Sequence, residues 1–370
     1  MKKKFICLLA TTMFLFACSD KNAPETDLST VFFISHQASG ETLIYMAGSG
    51  NIEIDWGDGT AVASHMLAPP KADNTFGSEH AFSHTYANVS ACTISISGTA
   101  ISGLNCGNNK FSALDLSKNI ALTNLNCGTN QLAALDVSKN IALTNLNCGN
   151  NKLTTLDLSK NTALQELEIG GNELKDLDLS NNAAITKLNF VNSNLTKLDV
   201  SKNTGLKELD CSRNQLTTLD VSKNIALKKL ECGYNNLSTL DVSKNTALTH
   251  LICWFNNLST LDVSKNTALI QLYSDDNKLK NIDVSKNTSL THLSLDDNQL
   301  TSLDMSKNTV LECLYIYSNQ FSASALNSLF RTLHSNSVAA GIKRVELAYN
   351  PGSYTCDRSI ATNKGWFIVY

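Results

Sequence analysis

Leu122-Thr-Asn-Leu-Asn-Cys-Gly-Thr-Asn-Gln-Leu132 is followed, two alanines later, by Leu135-Asp-Val-Ser-Lys-Asn140. The second phrase, or a close variant, starts at Leu114, Leu135, Leu156, Leu177, Leu198, Leu219, Leu240, Leu261, Ile282 and Leu303, each start 21 residues after the last. Between these copies the first phrase recurs as L-x-x-L-x-(C/L/I)-x-x-N-x-L. Its alternation suits a short strand, with Leu125 and Cys127 inward and Asn124, Asn126 and Gly128 on the opposite face. A fixed period of this length describes a unit that buries its apolar face only against its neighbours, so the units stack. Twelve strands are expected, counting degenerate ones at 101–111 and 342–350. At about 4.8 Å per strand the array runs on the order of 55 Å. Asn130 has equivalents at Asn109, Asn151, Asn172, Asn214, Asn235, Asn256, Asn277, Asn298 and Asn319. A buried Asn there satisfies backbone groups of the turn that leaves the strand.

The first phrase is the leucine-rich-repeat consensus. The chain resembles bacterial leucine-rich-repeat surface proteins, most nearly the internalin J-like group, whose repeats share this length and carry a Cys at the inward strand position. It also looks like repeat lipoproteins of Bacteroidetes. The resemblance covers about two-thirds of the chain. It implies an α/β-type repeat solenoid with a parallel sheet and a mostly non-helical convex side. It speaks strongly for the fold and weakly for the ligand.

The solenoid reading assigns the cysteines. Of 11 in the chain, Cys106, Cys127 and Cys148 stack in consecutive coils, and Cys211, Cys232 and Cys253 stack in three more. Elsewhere Ile169, Phe190, Ser274, Leu295 and Ile316 fill the same slot. A ladder of small buried hydrophobes explains them better than zinc, which needs convergent ligands and usually C-x-x-C pairs. The recurring Asp, from Asp115 to Asp304, reads as a turn former that bonds its own backbone rather than as a calcium ladder.

The ends bound the compartment. Lys2, Lys3 and Lys4, an apolar run from Phe5 to Phe16, and then Leu15-Phe16-Ala17-Cys18 form an export signal that resembles the bacterial lipobox. Residues 1–17 are expected to be removed, Cys18 to be acylated, and 18–28 to be a tether. The expected location is the outer membrane or cell surface, with membrane contact through the lipid anchor only. Loss of three lysines takes the formal charge from -3 to -6, which disfavours nucleic acid.

Two modules flank the repeats, which span 99–321. Residues 29–98 read as short strands with turn signals, an all-β sandwich covering the N-terminal end of the solenoid. Asp55-Trp-Gly-Asp-Gly-Thr60 and His84-Thr-Tyr86 resemble the PKD-like signature. Asp55 and Asp58 belong to a structural turn on this reading, with a cation as the lesser alternative. Cys92 has no evident partner and is expected to be buried. Residues 322–370 read as a cap, with helical spacing over Ser324–Leu333 and Trp366, Phe367 and Val369 as an apolar plug.

No catalytic pattern is found: there is no G-x-S-x-G, no H-E-x-x-H and no phosphate-binding glycine loop. A non-catalytic binding protein without a cofactor is expected, with an enzyme as the second class. The outward positions vary along the array and turn aromatic in the later coils. His250, Trp254, Phe255, Tyr273, Asp275, Asp276, His292, Asp296, Asp297, Tyr315 and Tyr317 are the candidate ligand face. Asp275 and Asp296 should be neighbours, with a weak calcium option, while His250 and His292 sit two coils apart. The ligand is a protein or a glycan. The resemblance favours adhesion, and the alternative is a glycan-capturing lipoprotein of a nutrient-uptake system.

Overall fold

The structure, a computed structural model, describes residues 29–35, 40–71, 75–87, 92–98, 100–338 and 341–369. The expected signal peptide and tether, with Cys18, fall at 1–28, outside the described residues. No helix among the described residues is long and apolar enough to cross a membrane.

The N-terminal segment forms strands β1 (Ser29–Ser35), β2 (Gly40–Gly48), β3 (Asn51–Asp55), β4 (Ala63–Met66), β5 (Ala81–Tyr86) and β6 (Cys92–Gly98). The repeats open with β7 (Ile101–Asn105) and β8 (Phe111–Asp115). Ten three-residue strands follow, β9 to β18, at Asn124–Asn126, Asn145–Asn147, Glu166–Glu168, Lys187–Asn189, Glu208–Asp210, Lys229–Glu231, His250–Ile252, Gln271–Tyr273, His292–Ser294 and Cys313–Tyr315. The chain ends with α1 (Ala323–Thr332), β19 (Lys343–Glu346), α2 (Ser359–Thr362) and β20 (Trp366–Val369).

From β7 through β20 the repeat strands pair in parallel as one sheet, a leucine-rich-repeat solenoid of 13 strands among the described residues. The thirteenth corrects the expectation of a terminal plug. Trp366 is 2 % exposed and packs inward, but Phe367 is 63 % exposed, because it alternates with Trp366 on a strand that extends the sheet. The plug comes from elsewhere. Helix α1 buries Leu326, Leu329 and Phe330, and Ser322 caps its first turn by accepting the Ala325 N–H. The Lys364 ammonium closes its other end on the carbonyls of Phe330, Arg331 and Leu333.

Each coil is held by one apolar stack and two asparagine ladders. The central strand leucines, and the inward slot that runs from Cys106 through Cys127 and Phe190 to Ile316, are fully buried. Each such side chain contributes about 1.5–3 kcal/mol over an exposed one, which offsets the ordering of the coil. Asn130 donates to the carbonyls of Cys106 (3.0 Å) and Cys127 (2.9 Å), and its Oδ1 accepts the Phe111 N–H (2.9 Å). The pattern repeats in successive coils, as the first phrase implied. A second ladder had not been expected. Asn140, the last residue of the Leu-Asp-Val-Ser-Lys-Asn phrase, is fully buried and donates to the carbonyls of Leu116 (3.1 Å) and Asn119 (2.8 Å) one coil back. The turn between the ladders is non-helical. Asp136 Oδ1 accepts the Ser138 N–H at 2.9 Å, the turn role expected of this acidic row.

The N-terminal strands are continuous with the solenoid. Strand β2 pairs antiparallel with β5 and β7, so the solenoid sheet runs on into the N-terminal segment. Strand β8 joins the other sheet, in the order β4-β3-β6-β1-β8. Two ladders therefore cross the boundary drawn at 98/99, and the first coil is half sandwich. The quoted motif residues meet. His84 stacks on Trp56 with centroids 5.1 Å apart and pairs with Asp58 at 2.7 Å, and the Tyr86 hydroxyl donates to the Trp56 carbonyl. Asp58 also takes the hydroxyl and N–H of Thr60, which together with His84 hold its carboxyl down at about 2.

Candidate functional site

The exposed side of the sheet carries columns of equivalent residues one coil apart. In the strands, Lys229, His250, Gln271, His292 and Cys313 form the first column, and Glu231, Ile252, Tyr273, Ser294 and Tyr315 the second. Just past the strands, Gly233, Trp254, Asp275, Asp296 and Tyr317 form a third. A fourth, at left-handed φ of about 50°, holds Arg213, Tyr234, Phe255, Asp276 and Asp297. Backbone of this hand is costly for side chains with a Cβ and is tolerated here because the neighbouring coils impose it.

The aromatic residues gather at two places rather than one. Tyr234 stacks flat on Phe255 (4.2 Å, 11°), and the Arg213 guanidinium covers the other face of Tyr234 at 4.3 Å. Trp254 meets Tyr234 edge-on at 6.2 Å. Its indole lies over Gly233, where a Cβ would collide with it, so the glycine is what lets the ring lie down. Trp254 and Phe255 remain 37 % and 41 % exposed. Three coils further on, the Arg344 guanidinium sits on Tyr315 at 5.0 Å, and Tyr317 packs against Tyr349 at 4.9 Å.

Between these clusters lie the carboxylates. Asp275 and Asp296 are neighbours: the Asp296 N–H donates to Asp275 Oδ1 at 3.0 Å, and the Tyr317 N–H donates to Asp296 Oδ1 at 2.7 Å. Asp275 also accepts the Ser294 hydroxyl. This corrects the expectation of an open Asp275, which is only 9 % exposed because Ser294 and the next coil fold over it. Asp276 and Asp297 stand further out on the left-handed column. Burial first, then the Asp275 charge, pushes the Asp296 carboxyl up to about 7, and burial raises Asp275 and Asp276 as well. Among the described residues no group of three or more His, Cys, Asp or Glu is arranged to hold a metal ion.

His250 and His292 stand on the first column with Gln271 between them. Each ring nitrogen Nδ1 is tied to the preceding threonine hydroxyl, Thr249 and Thr291, at 2.9 Å. Tyr273 lies on the second column, in the coil next to Ile252. Arg213 and Ser294 were not among the candidates drawn from the sequence. The signal for Arg213 was positional, since it precedes a buried Asn in the same register as Tyr234 and Phe255.

The six cysteines of the two ladders are buried and reduced, and burial pushes Cys127 and Cys253 up to about 12. Cys92 is buried and unpaired, as expected.

Comparison with known proteins places the fold. The chain superposes on the functional domain of InlJ from Listeria monocytogenes, which includes a cysteine ladder, with a TM-score of 0.64 and 33 % identity. The match covers 72 % of this chain and 59 % of that one, so the chain spans less than two-thirds of its length. A leucine-rich-repeat protein of Leptospira interrogans gives 0.65 at 23 % identity, covering 72 % of each chain. An internalin, InlF, of Listeria monocytogenes gives 0.59 at 20 % identity, covering 72 % of this chain and 86 % of its own. These two show the shared fold. No protein-family model and no curated protein matches the sequence.

Proposed function

We propose that the protein is an exported, lipid-anchored and non-catalytic binding protein that docks a basic protein partner on the late coils of its solenoid, in the manner of an adhesin. One observation carries the reading. Asp275, Asp276, Asp296 and Asp297 are crowded together, three of them with raised carboxyl values, and none is ion-paired among the described residues. Beside them Trp254 and Phe255 keep exposed faces. Like charges on a half-buried surface cost stability, and a partner's lysine or arginine offsets that cost while its stem covers the rings. The Arg213–Tyr234–Phe255 stack already shows one cation on one end of the same aromatic row. The InlJ likeness, with its ladder of buried cysteines, supports a scaffold role for the repeat interior. Attachment through Cys18 is supported by the Leu15–Cys18 motif and its basic leader.

Selection of a random-peptide display library on the immobilised full chain tests the reading. Enrichment of peptides carrying Lys or Arg is expected, with elution by salt. Enrichment of peptides without basic residues would overturn it. The anchor is tested by metabolic labelling with a fatty-acid probe, which should label the wild type and not Cys18→Ala.

A further inference from the structure

A second, chemically different cavity lies at the other end of the solenoid. Phe76 belongs to the N-terminal segment, yet its ring rests on the first coil. A Cβ at Gly103 would come within 3.3 Å of Phe76 Cζ. The ring thus takes the place of a side chain at the head of the column Gly103, Asn124, Asn145, Glu166. Tyr45 and His80 buttress it, with centroids 6.0 and 5.8 Å away. His80 is itself fixed: one ring nitrogen meets the Gly77 N–H and the other the Pro69 carbonyl.

Beneath Phe76 opens a cavity of about 290 Å³, floored by Asn105, Asn124, Asn126 and Asn145 and closed at the far end by Glu166 and Glu168. The amides are oriented. Asn105 and Asn126 spend Oδ1 on the N–H of Gly107 (3.1 Å) and Gly128 (3.0 Å). The amides of Asn124 and Asn145 lie against the hydroxyls of Thr123 (2.8 Å) and Thr144 (2.9 Å), which also reach the carbonyls of Ser102 (3.0 Å) and Thr123 (3.2 Å). An asparagine whose oxygen is engaged presents its two N–H donors outward. The floor is therefore a grid of amides in which Asn105 and Asn126 present fixed donors, with an aromatic face at one end and at the other the carboxylates of Glu166 and of Glu168, which already takes Asn147 Nδ2 at 2.7 Å. Apart from Phe76, every outward side chain lining it is polar.

We infer that this junction cavity is a saccharide-binding subsite. Hydroxyl and ring oxygens accept from the amide grid, hydroxyls donate to Glu166 and Glu168, and the apolar face of a sugar ring lies on Phe76. A peptide strand also carries acceptors, but it brings side chains for which the cavity has no apolar pocket. The site shares no residue with the aromatic–acidic face, so its failure leaves the protein-binding reading standing.

The test is a glycan array of neutral oligosaccharides probed with the full chain, followed by calorimetric titration of the tightest hit. Asn126→Asp and Asn105→Asp keep the Oδ1 acceptor while replacing the donor by an acceptor, and Phe76→Ala removes the platform. Each should weaken binding roughly tenfold or more. Lys244→Ala, on the convex side, should leave it unchanged. Three results would overturn the inference: no saccharide retained, a hit indifferent to both Asn126→Asp and Phe76→Ala, or a peptide rather than a saccharide lost with those variants. Circular dichroism of each variant separates lost binding from lost fold.

Discussion

Two asparagines of the same coil, 11 residues apart, do different work. Asn235 shares its two N–H donors among the carbonyls of Cys211, Cys232 and Gly233 and accepts the Leu216 N–H, so both ends of its amide are engaged. Asn224 donates to the carbonyls of Val200 and Asn203, while its Oδ1 has no partner among the described residues. Asn235→Ala leaves the Leu216 N–H without a partner and takes one of two donors from the carbonyls of Cys211, Cys232 and Gly233; Asn224→Ala takes one of two donors from the carbonyls of Val200 and Asn203 and removes an orphaned oxygen. The first, which orphans a buried N–H, should cost on the order of 1–3 kcal/mol and the second clearly less, read from urea midpoints. Equal costs would contradict this account of the ladders. The Asn235 row was legible because it sits at a fixed offset from the strand leucines. The Asn224 row was not, because Ser-Lys-Asn after an Asp reads locally as a solvated turn and only the stacking buries it. The adjacency of Asp275 and Asp296 was legible from the period, but the cover of Asp275 by Ser294 depends on the neighbouring coil. Asp296 supplies a pH signature. Its carboxyl sits at about 7 in the folded chain against an ordinary 3.8, so between these values the native state keeps a proton that the unfolded chain has released. That contribution to stability is full below about pH 4 and is lost as pH rises through about 7. Asp296→Asn, which keeps an oxygen for the Tyr317 N–H, should gain in melting temperature relative to the wild type across that window. A difference that does not change with pH would sink the assignment.

At the scale of the element, a coil has no core of its own. Leu209 lies at the centre of β13, paired with Leu188 and Leu230 and buried. Leu209→Asp puts an unpaired carboxylate among leucines on both sides, so the array should open there. Limited proteolysis should give new cuts within the coils around 188–230 while the sandwich stays intact. An unchanged digest would mean the inward assignment is wrong. The strand positions and the 21-residue period were plain in the sequence, because repetition averages out local ambiguity. The last strand was not, since Trp366-Phe-Ile-Val369 lacks the repeat leucines and reads as a hydrophobic tail. Its alternation of a buried Trp366 with an exposed Phe367 was the available signal.

For the whole molecule, one sheet carries both the first-coil cavity and the late-coil aromatic–acidic face. The N-terminal strands enter it through β2 and β7, so the sandwich and the first coil are one packed unit rather than beads on a string. This continuity could not be drawn from the motifs, because strand pairing across a module boundary leaves no local pattern. What the array presents changes from oriented amides in the first coils to rings and carboxylates in the late ones, on a scaffold that hardly varies. The late-coil face is the central claim, and raising the pH should strengthen it: a basic partner binds Asp296 in its charged form, so affinity should rise as pH passes about 7. The most direct measurement is calorimetric titration of a display-selected basic peptide into the wild type, Trp254→Ala, the double variant Asp276→Asn/Asp297→Asn, and Lys160→Ala on the convex side. Losses of on the order of 1–3 kcal/mol for the first two variants, none for Lys160→Ala, and tighter binding at pH 8 than at pH 6 are expected. Undiminished binding by Trp254→Ala and by the double variant would contradict the account.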